Sequence, residues 1–585
     1  MIKERLEALK MAMKKEGIDV YYLNTSDYHM SEYVSDYFHT IAYFSGFTGS
    51  LATLLVTAED TYIFVDGRYH TQADKQCLQN GIKVVKLGLE GSLEPLAFIA
   101  KHYSSKVIGL DGRRTSVRFA KALKEKKIKV KSIDLYSDLI ENRPALGNDP
   151  IREIDIRYAG LSRKKKLEMV KYCLSDKVHL VNNLESIAYL LNLRSNDIKY
   201  TPVFYSYLVI MDEDVYLFAD VKRFEADLLE RLYDDGVIIR PYDSYYEFLS
   251  KIRNRKIIID ENKVNYETYL SISGNFNRIY DMRSIIEDMK AVKNPVEQEN
   301  IRMAHIYDGV AVLRFLMWLD EIDKTTVSEY DVAEKINSFR KEYKANDLSF
   351  SSIVSCNENA AIIHYSPEKD KAKMLEEKGI LLFDTGGQYD EGTTDITRTV
   401  ALGEVDPEVK KYFTLVLKSM FNLSEIKFLK GINGAQLDIL ARKDLWEYGV
   451  DYRHGTGHGV GYNLAVHESP PNIRFHHTDA GTEQCEILPG MVCSDEPGIY
   501  FEGKYGIRCE NMILCVEDEK NEYGQFLRFE TLTLVPFDLK LIDKEYLDEK
   551  TIKVLNKYHE RVYTTLLPYL NEQEAQFLRK LTKEI

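Results

Sequence analysis

The chain has 585 residues, too many for one hydrophobic core, so several domains are expected. Charged residues (29%) and apolar residues (44%) stand in the balance of an ordinary globular protein, and acids exceed bases by 14. That excess argues against nucleic acid or an anionic membrane as partner, and no run of about eighteen apolar residues offers a membrane span.

The opening stretch, MIKERLEALKMAMKKEGIDV, is charged throughout and carries Leu6, Leu9 and Met13 at helical spacing. It lacks the apolar run of a secretory signal. The seven cysteines are odd in number, scattered and without a C-x-x-C pair, which reads as reduced thiols in a cytoplasmic protein. Cys493 and Cys509 sit in apolar runs and read as packed core thiols.

An internal repeat follows. Ile41-Ala42-Tyr43 recurs as Ile187-Ala188-Tyr189, and Thr61-Tyr62-Ile63-Phe64-Val65-Asp66 as Val215-Tyr216-Leu217-Phe218-Ala219-Asp220. Each copy opens on a helix and a short apolar strand (Val20–Leu23; His179–Val181), and later carries two alternating strands joined by an acidic turn. Two copies of one α/β domain are predicted, over residues 1–140 and 141–293, with the seam near Arg143–Pro150.

A third domain is expected over residues 294–585. Asn294-Pro295-Val296-Glu297 has the form of a helix start, with a cap, a first-turn proline and a glutamate three residues on. The helix beyond it is predicted to bury Ile301, Ala304, Val310, Leu313 and Leu316 on one side, with another helix over Glu329–Lys341. Short strands and glycine-rich loops follow to Glu510, interrupted by one helical interval from about Glu408 to Leu429. The tail, about residues 536–585, reads as amphipathic helix to the end and as a cap on this domain.

The chemistry gathers between Asp384 and Glu510. Asp384 and Asp395 flank a turn at Tyr389–Gly392, so a hairpin would bring both carboxylates to neighbouring strands. In His454-Gly455-Thr456-Gly457-His458-Gly459 the glycines, each costing about 1 kcal/mol in a helix, exclude a helical zinc motif. They let the backbone come close to some neighbouring group, with the histidines projecting from an extended loop. Pro497-Gly498 turns the chain directly after Glu496, and strand alternation places Arg508 and Glu510 on one face. Arg508 is then set to orient a carboxylate or to meet a substrate, with a plain surface arginine as the alternative. His476 and His477 lie in a polar loop and read as solvated.

Asp384, Asp395, His458, Glu496 and Glu510 form the ligand set of a two-metal hydrolase. Four carboxylates and one imidazole suit Mn(II), Co(II) or Zn(II), and the four negative charges balance two divalent ions. A hydroxide between those ions is the nucleophile such a site makes.

With these motifs the chain resembles the aminopeptidase P and prolidase branch of the pita-bread metallopeptidases over essentially its whole length. Asp66-Gly67-Arg68-Tyr69 and Lys293-Asn294-Pro295-Val296-Glu297 add to the likeness. The resemblance implies an α/β (α+β) architecture: two creatinase-like N-terminal domains, then a pita-bread catalytic domain. It implies a cytoplasmic, often homodimeric enzyme, typically using Mn(II), that removes the first residue from peptides with proline second. Asp384 would chelate one ion, His458 and Glu496 the other, and Asp395 and Glu510 would bridge. His364, His454 and His467 would meet the substrate or intermediate, and Glu496 would also shuttle a proton. Arg68 has a substrate-reaching reading and a structural one, the latter favoured because the second copy reads Asp220-Val221-Lys222-Arg223 there. Two departures stand out. Ser355-Cys356-Asn357-Glu358-Asn359 lacks the usual turn glycine, which Asn can replace, and Ser469-Pro470-Pro471 replaces a Gly-Pro after His467-Glu468. The rival readings are a prolidase confined to dipeptides and a metal-free binding protein on the same scaffold.

Overall fold

The structure, a computed structural model, describes residues 2–475 and 485–585. The chain divides after Asp288 into two compact units.

In the first unit, helix α1 (Ile2–Glu16) buries Leu6, Leu9 and Met13, the residues whose spacing predicts it. The first sheet comprises β1 (Val20–Asn24), β2 (Thr53–Thr57), β3 (Thr61–Val65), β4 (Lys83–Lys86), β5 (Val107–Leu110) and β6 (Lys129–Ser132). The second comprises β7 (Val178–Val181), β8 (Tyr207–Ile210), β9 (Val215–Phe218), β10 (Val237–Arg240), β11 (Lys256–Ile259) and β12 (Arg278–Asp281). Their orders, β4-β3-β2-β1-β5-β6 and β10-β9-β8-β7-β11-β12, are the same topology. In each, the first strand pairs antiparallel with the second and parallel with the fifth. The repeated tripeptides occupy matching helices, α2 (Thr40–Ser45) and α3 (Leu184–Leu191). Buried His29 ties the two halves together. Its Nδ1 lies 2.9 Å from the Asn182 carbonyl and its Nε2 2.8 Å from the Tyr242 hydroxyl.

The second unit opens on α4 (Pro295–Glu321), where Asn294 and Glu297 form the predicted capping box. Burial here departs from the one-sided expectation. From Ala304 to Leu313 every residue is buried, including Asp308, whose carboxylate meets Arg340 Nε at 2.7 Å and the Tyr389 hydroxyl at 2.9 Å. Because those partners satisfy the charge, a polar residue can occupy a face that periodicity would assign to solvent. Arg340 belongs to α5 (Glu329–Glu342).

Strands β13 (Ile353–Cys356), β14 (Ile380–Thr385) and β17 (Ile396–Ala401) form one sheet, with β15 (Gly387–Tyr389) and β16 (Gly392–Thr393) carrying the turn between the last two. The facing sheet has the order β18-β25-β24-β21-β19-β20. Its strands are β18 (Lys427–Leu429), β19 (Gly457–Gly459), β20 (Glu468–Ile473), β21 (Val492–Asp495), β24 (Asn511–Asn521) and β25 (Gly524–Thr531), while β22 (Gly498–Phe501) and β23 (Tyr505–Arg508) pair as a hairpin.

Three element predictions need correction. The helical interval, α6 (Pro407–Ser424), stops short of Leu429 because residues 427–429 join the sheet as β18. A further helix, α7 (Gly434–Trp446), escaped the reading. It buries Asp438 and Arg442, paired at 2.6 Å, and exposes Ile439, which blurs the apolar stripe. The tail is not one helix but α8 (Glu549–Leu566) and α9 (Glu572–Leu581), the second started by a fresh capping box at Asn571. Leu555, Val562, Leu566 and Leu578 share a core with Val310, Val416 and Leu534, so the tail completes this unit's interior.

Candidate metal centre

Register sets the first two carboxylates. On β14 and β17, Asp384 faces Thr397, and Asp395 lies two residues before Thr397, so all three side chains share one face of the antiparallel pair. His458 sits in the middle of β19, with Gly457 and Gly459 on either side. A Cβ on Gly457 would lie 2.0 Å from the Ser494 carbonyl, so the glycine allows the close strand approach expected of this loop. Glu496 follows β21, its amide donating to Thr456 at 2.8 Å, and Glu510 precedes β24, its amide donating to Thr397 at 3.1 Å.

These placements bring the predicted donors together. His458 Nε2 lies 3.5 Å from both Asp395 Oδ2 and Glu496 Oε1. Donor atoms of Asp395, His458 and Glu510 all lie within 4.8 Å of one another. The Thr397 hydroxyl donates to Glu510 Oε2 at 2.7 Å and accepts from Arg508 Nε at 3.1 Å. Arg508 closes the ring, with Nη2 2.5 Å from Asp384 Oδ2 and Nη1 donating to the Tyr500 hydroxyl at 2.7 Å. Arg508 is buried and each of its three guanidinium nitrogens is engaged, which excludes the surface reading and favours orientation of Asp384.

The electrostatics call for cations. Burial, then Glu510, Asp384 and Glu496, drive the Asp395 carboxyl well above its usual range. Burial first, then Asp384 and Glu496, do the same to Glu510. Burial pushes Glu496 up to about 7, with Arg508 pulling the other way. Asp384 Oδ1 is buried with no hydrogen-bond partner among the described residues. The His458 Nδ1 contacts the Gly459 carbonyl at 2.9 Å. A carbonyl can only accept, so Nδ1 carries the proton and Nε2 presents its lone pair to the carboxylates. The donor set, the orphan oxygen and the excess negative charge all fit divalent metal ions.

Of the other candidate histidines, His467 and His454 lie beside this core. The His467 and His458 rings are 4.3 Å apart between centroids. His454 Nε2 is 2.9 Å from the Tyr500 hydroxyl, which links it through Arg508 to Asp384. His364 is half-buried just after the short helical turn 357–361. That turn presses on β23, where a Cβ on Gly506 would come 1.9 Å from the Ala360 carbonyl. Asn357 takes φ 48°, the left-handed turn for which it can replace glycine. Arg68, in the first unit, is clamped to Asp66 through Nε at 3.0 Å and Nη2 at 2.8 Å, which favours its structural reading. Cys493 and Cys509 are buried in apolar clusters, as expected. His476 and His477 lie outside the described residues.

Sequence reasoning missed Thr397, Tyr500 and Ser494, whose hydroxyl accepts from the His458 amide at 3.0 Å. For Thr397 a signal existed, since it stands two residues from Asp395 in an alternating strand. Tyr500 on β22 and Ser494 on β21 meet Arg508 and His458 only through the pairing of separate strands, for which the sequence offered no signal.

Fold and site together define a metal-dependent hydrolase. The matching family models are the Creatinase/Prolidase N-terminal domain over residues 5–143 and again over 142–297, metallopeptidase family M24 over 299–517, and the C-terminal region of peptidase_M24 over 525–585. "Probable Xaa-Pro aminopeptidase P" of Pyrenophora teres f. teres is 36% identical across 99% of this chain and 92% of its own. The protein of that name from Coprinopsis cinerea is 35% identical across 100% and 98%. A solved X-prolyl aminopeptidase from Caenorhabditis elegans, described as a cytosolic enzyme with a di-nuclear active site, matches with TM-score 0.94 at 31% identity over 100% of both chains. The prolidase from Pyrococcus horikoshii shares the fold over 64% of this chain, with TM-score 0.50 and 23% identity. The chain belongs to metallopeptidase family M24.

Proposed function

We propose that the protein is a dinuclear Xaa-Pro aminopeptidase, releasing the first residue of peptides whose second residue is proline. The observation carrying this reading is the end-to-end likeness to Xaa-Pro aminopeptidases, with both N-terminal copies included. Asp384, His458, Glu496, Asp395 and Glu510 would hold two divalent ions, with Mn(II) the first choice for this oxygen-rich set. Bound there, such ions supply Lewis acidity and a water made nucleophilic near neutral pH. The chain's own residues do the rest. Arg508 and Thr397 hold Asp384 and Glu510 in place, and Glu496 carries the proton to the leaving amine. His467, beside Glu496 and His458, polarises the scissile carbonyl. His364 and His454 stabilise charge that develops only in the transition state, where such contacts speed the reaction.

We also propose a cytoplasmic homodimer, the location following the solved relative described as cytosolic. Separately, no helix among the described residues is long and apolar enough to cross a membrane. The deciding assay compares Xaa-Pro-Xaa tripeptides with Xaa-Pro dipeptides in Mn(II). Cleavage of tripeptides supports an aminopeptidase, activity confined to dipeptides indicates a prolidase, and an inactive, metal-free protein indicates a binding role.

A further inference from the structure

His364 stands in an irregular excursion between β13 and β14, and one buried carboxylate outside the metal centre gathers that excursion. Ser328 and Asp331 form the capping box of α5, which leaves the Glu329 side chain free to turn inward, where it is 0% exposed. Its Oε1 accepts from the Cys356 amide at 2.7 Å and from Asn359 Nδ2 at 3.1 Å. Its Oε2 accepts from the Tyr365 hydroxyl at 2.7 Å, the Lys373 amide at 3.2 Å and again Asn359 Nδ2 at 3.1 Å. The Glu329 amide in turn donates to the Lys373 carbonyl at 2.9 Å. Both ends of segment 356–373 therefore hang on one residue, and so does Tyr365, the immediate neighbour of His364.

A loop held at its ends by backbone bonds alone would still leave its apex free to move. The bond from Tyr365 removes that freedom beside the histidine. The carboxylate lies in the first turn of α5, where the helix field favours its charge, and an ionised acceptor strengthens each of these bonds. We propose that Glu329 is the positioning residue for His364: through Tyr365, Asn359 and the two loop-end amides it holds the imidazole where the substrate's developing charge appears. This rests on the reading of His364 as a substrate-facing group, and deepens it.

The test uses the full-length, metal-loaded protein. Glu329→Gln keeps the size of the side chain but puts a donor where only acceptors fit. Both metals should remain bound and KM should stay within about threefold. Turnover should fall by about 10–100-fold, no further than in His364→Ala, since the effect passes through that residue. In the His364→Ala background, Glu329→Gln should add almost nothing to the loss in kcat, because the two act as one unit. Wild-type kcat in the single variant, or a full additional loss in the double variant, would overturn the proposal. Should Glu329→Gln not fold, Tyr365→Phe removes one bond only. A fall in kcat that vanishes in the His364→Ala background supports the proposal, and unchanged kcat defeats it. Wild-type turnover in His364→Ala itself would instead defeat the histidine's role, a separate result.

Discussion

Arg508 Nη2 lies 2.5 Å from Asp384 Oδ2, and both side chains are buried. The guanidinium fixes one oxygen of Asp384 while the other, Oδ1, has no hydrogen-bond partner among the described residues, so the carboxylate is aimed without being neutralised twice over. Replacing Arg508 by Met should leave the fold intact once metals are loaded. Activity should fall by about 10–100-fold, the usual cost of losing a group that orients a ligand. Steady-state kinetics at saturating Mn(II), with metal content measured alongside, checks this; unchanged kcat would place Arg508 outside the machinery.

Glu510→Ala should reduce the metal bound, because Glu510 lies among the donors that meet His458 and Asp395. Elemental analysis after gel filtration is the direct measurement. A variant that still binds two ions per chain would remove Glu510 from the ligand set. By the same logic, chelation should abolish wild-type activity and Mn(II) should restore it.

His364→Ala should keep both metals and lose on the order of 10²–10³ in turnover, the cost of one donor to developing charge. Metal stoichiometry and kcat from the same preparation separate this outcome from a loss of ligation.

Burial drives His29 down to about 3 and His179 down to about 4, each from an ordinary 6.5. The folded first unit therefore binds fewer protons than the unfolded chain between these values and 6.5. Stability is complete above pH 6.5 and declines as pH falls through the window, by up to about 1.4 kcal/mol per unit for each histidine. Thermal unfolding from pH 7 to pH 4, with hydrogen exchange reporting on residues up to 288, should show this decline. His29→Gln, which keeps a donor for Asn182, should flatten the slope; an unaltered slope would mean that His29 titrates normally.

Asp308 and Arg340 are a buried ion pair at 2.7 Å, and the Arg340 guanidinium also reaches Thr385, next to Asp384. Arg340→Leu strands the Asp308 charge and should destabilise the second unit by about 3–5 kcal/mol. Denaturant unfolding of the metal-loaded variant measures it.

Legibility differed by element. Helix α1 and the cap at Asn294 were readable because their causes are local, a 3.6-residue stripe and a two-residue exchange of hydrogen bonds. The repeat was readable because similar residues recur, and the two sheets share one strand order. Helix α7 was not, since Asp438 and Arg442 are buried through partners that only the folded chain supplies, each other together with Asp451 and Thr456. The donor residues were legible as types in suggestive settings. Thr397 carried only the hint of its alternation with Asp395, and Tyr500 was not legible, as its hydroxyl joins the site only when β22 pairs with β23 and brings it to Arg508 and His454.

The order of residues by itself determined the duplicated α/β architecture, the helix start at Asn294 and the five candidate donors, because alternation, capping and glycine placement act over a few neighbours. Only the tertiary structure decided that Arg508 serves Asp384, that the tail completes a core, and that Glu329 gathers the His364 loop. Each of these joins groups tens to hundreds of residues apart, and whether a buried charge finds its partner at such separation is settled by packing.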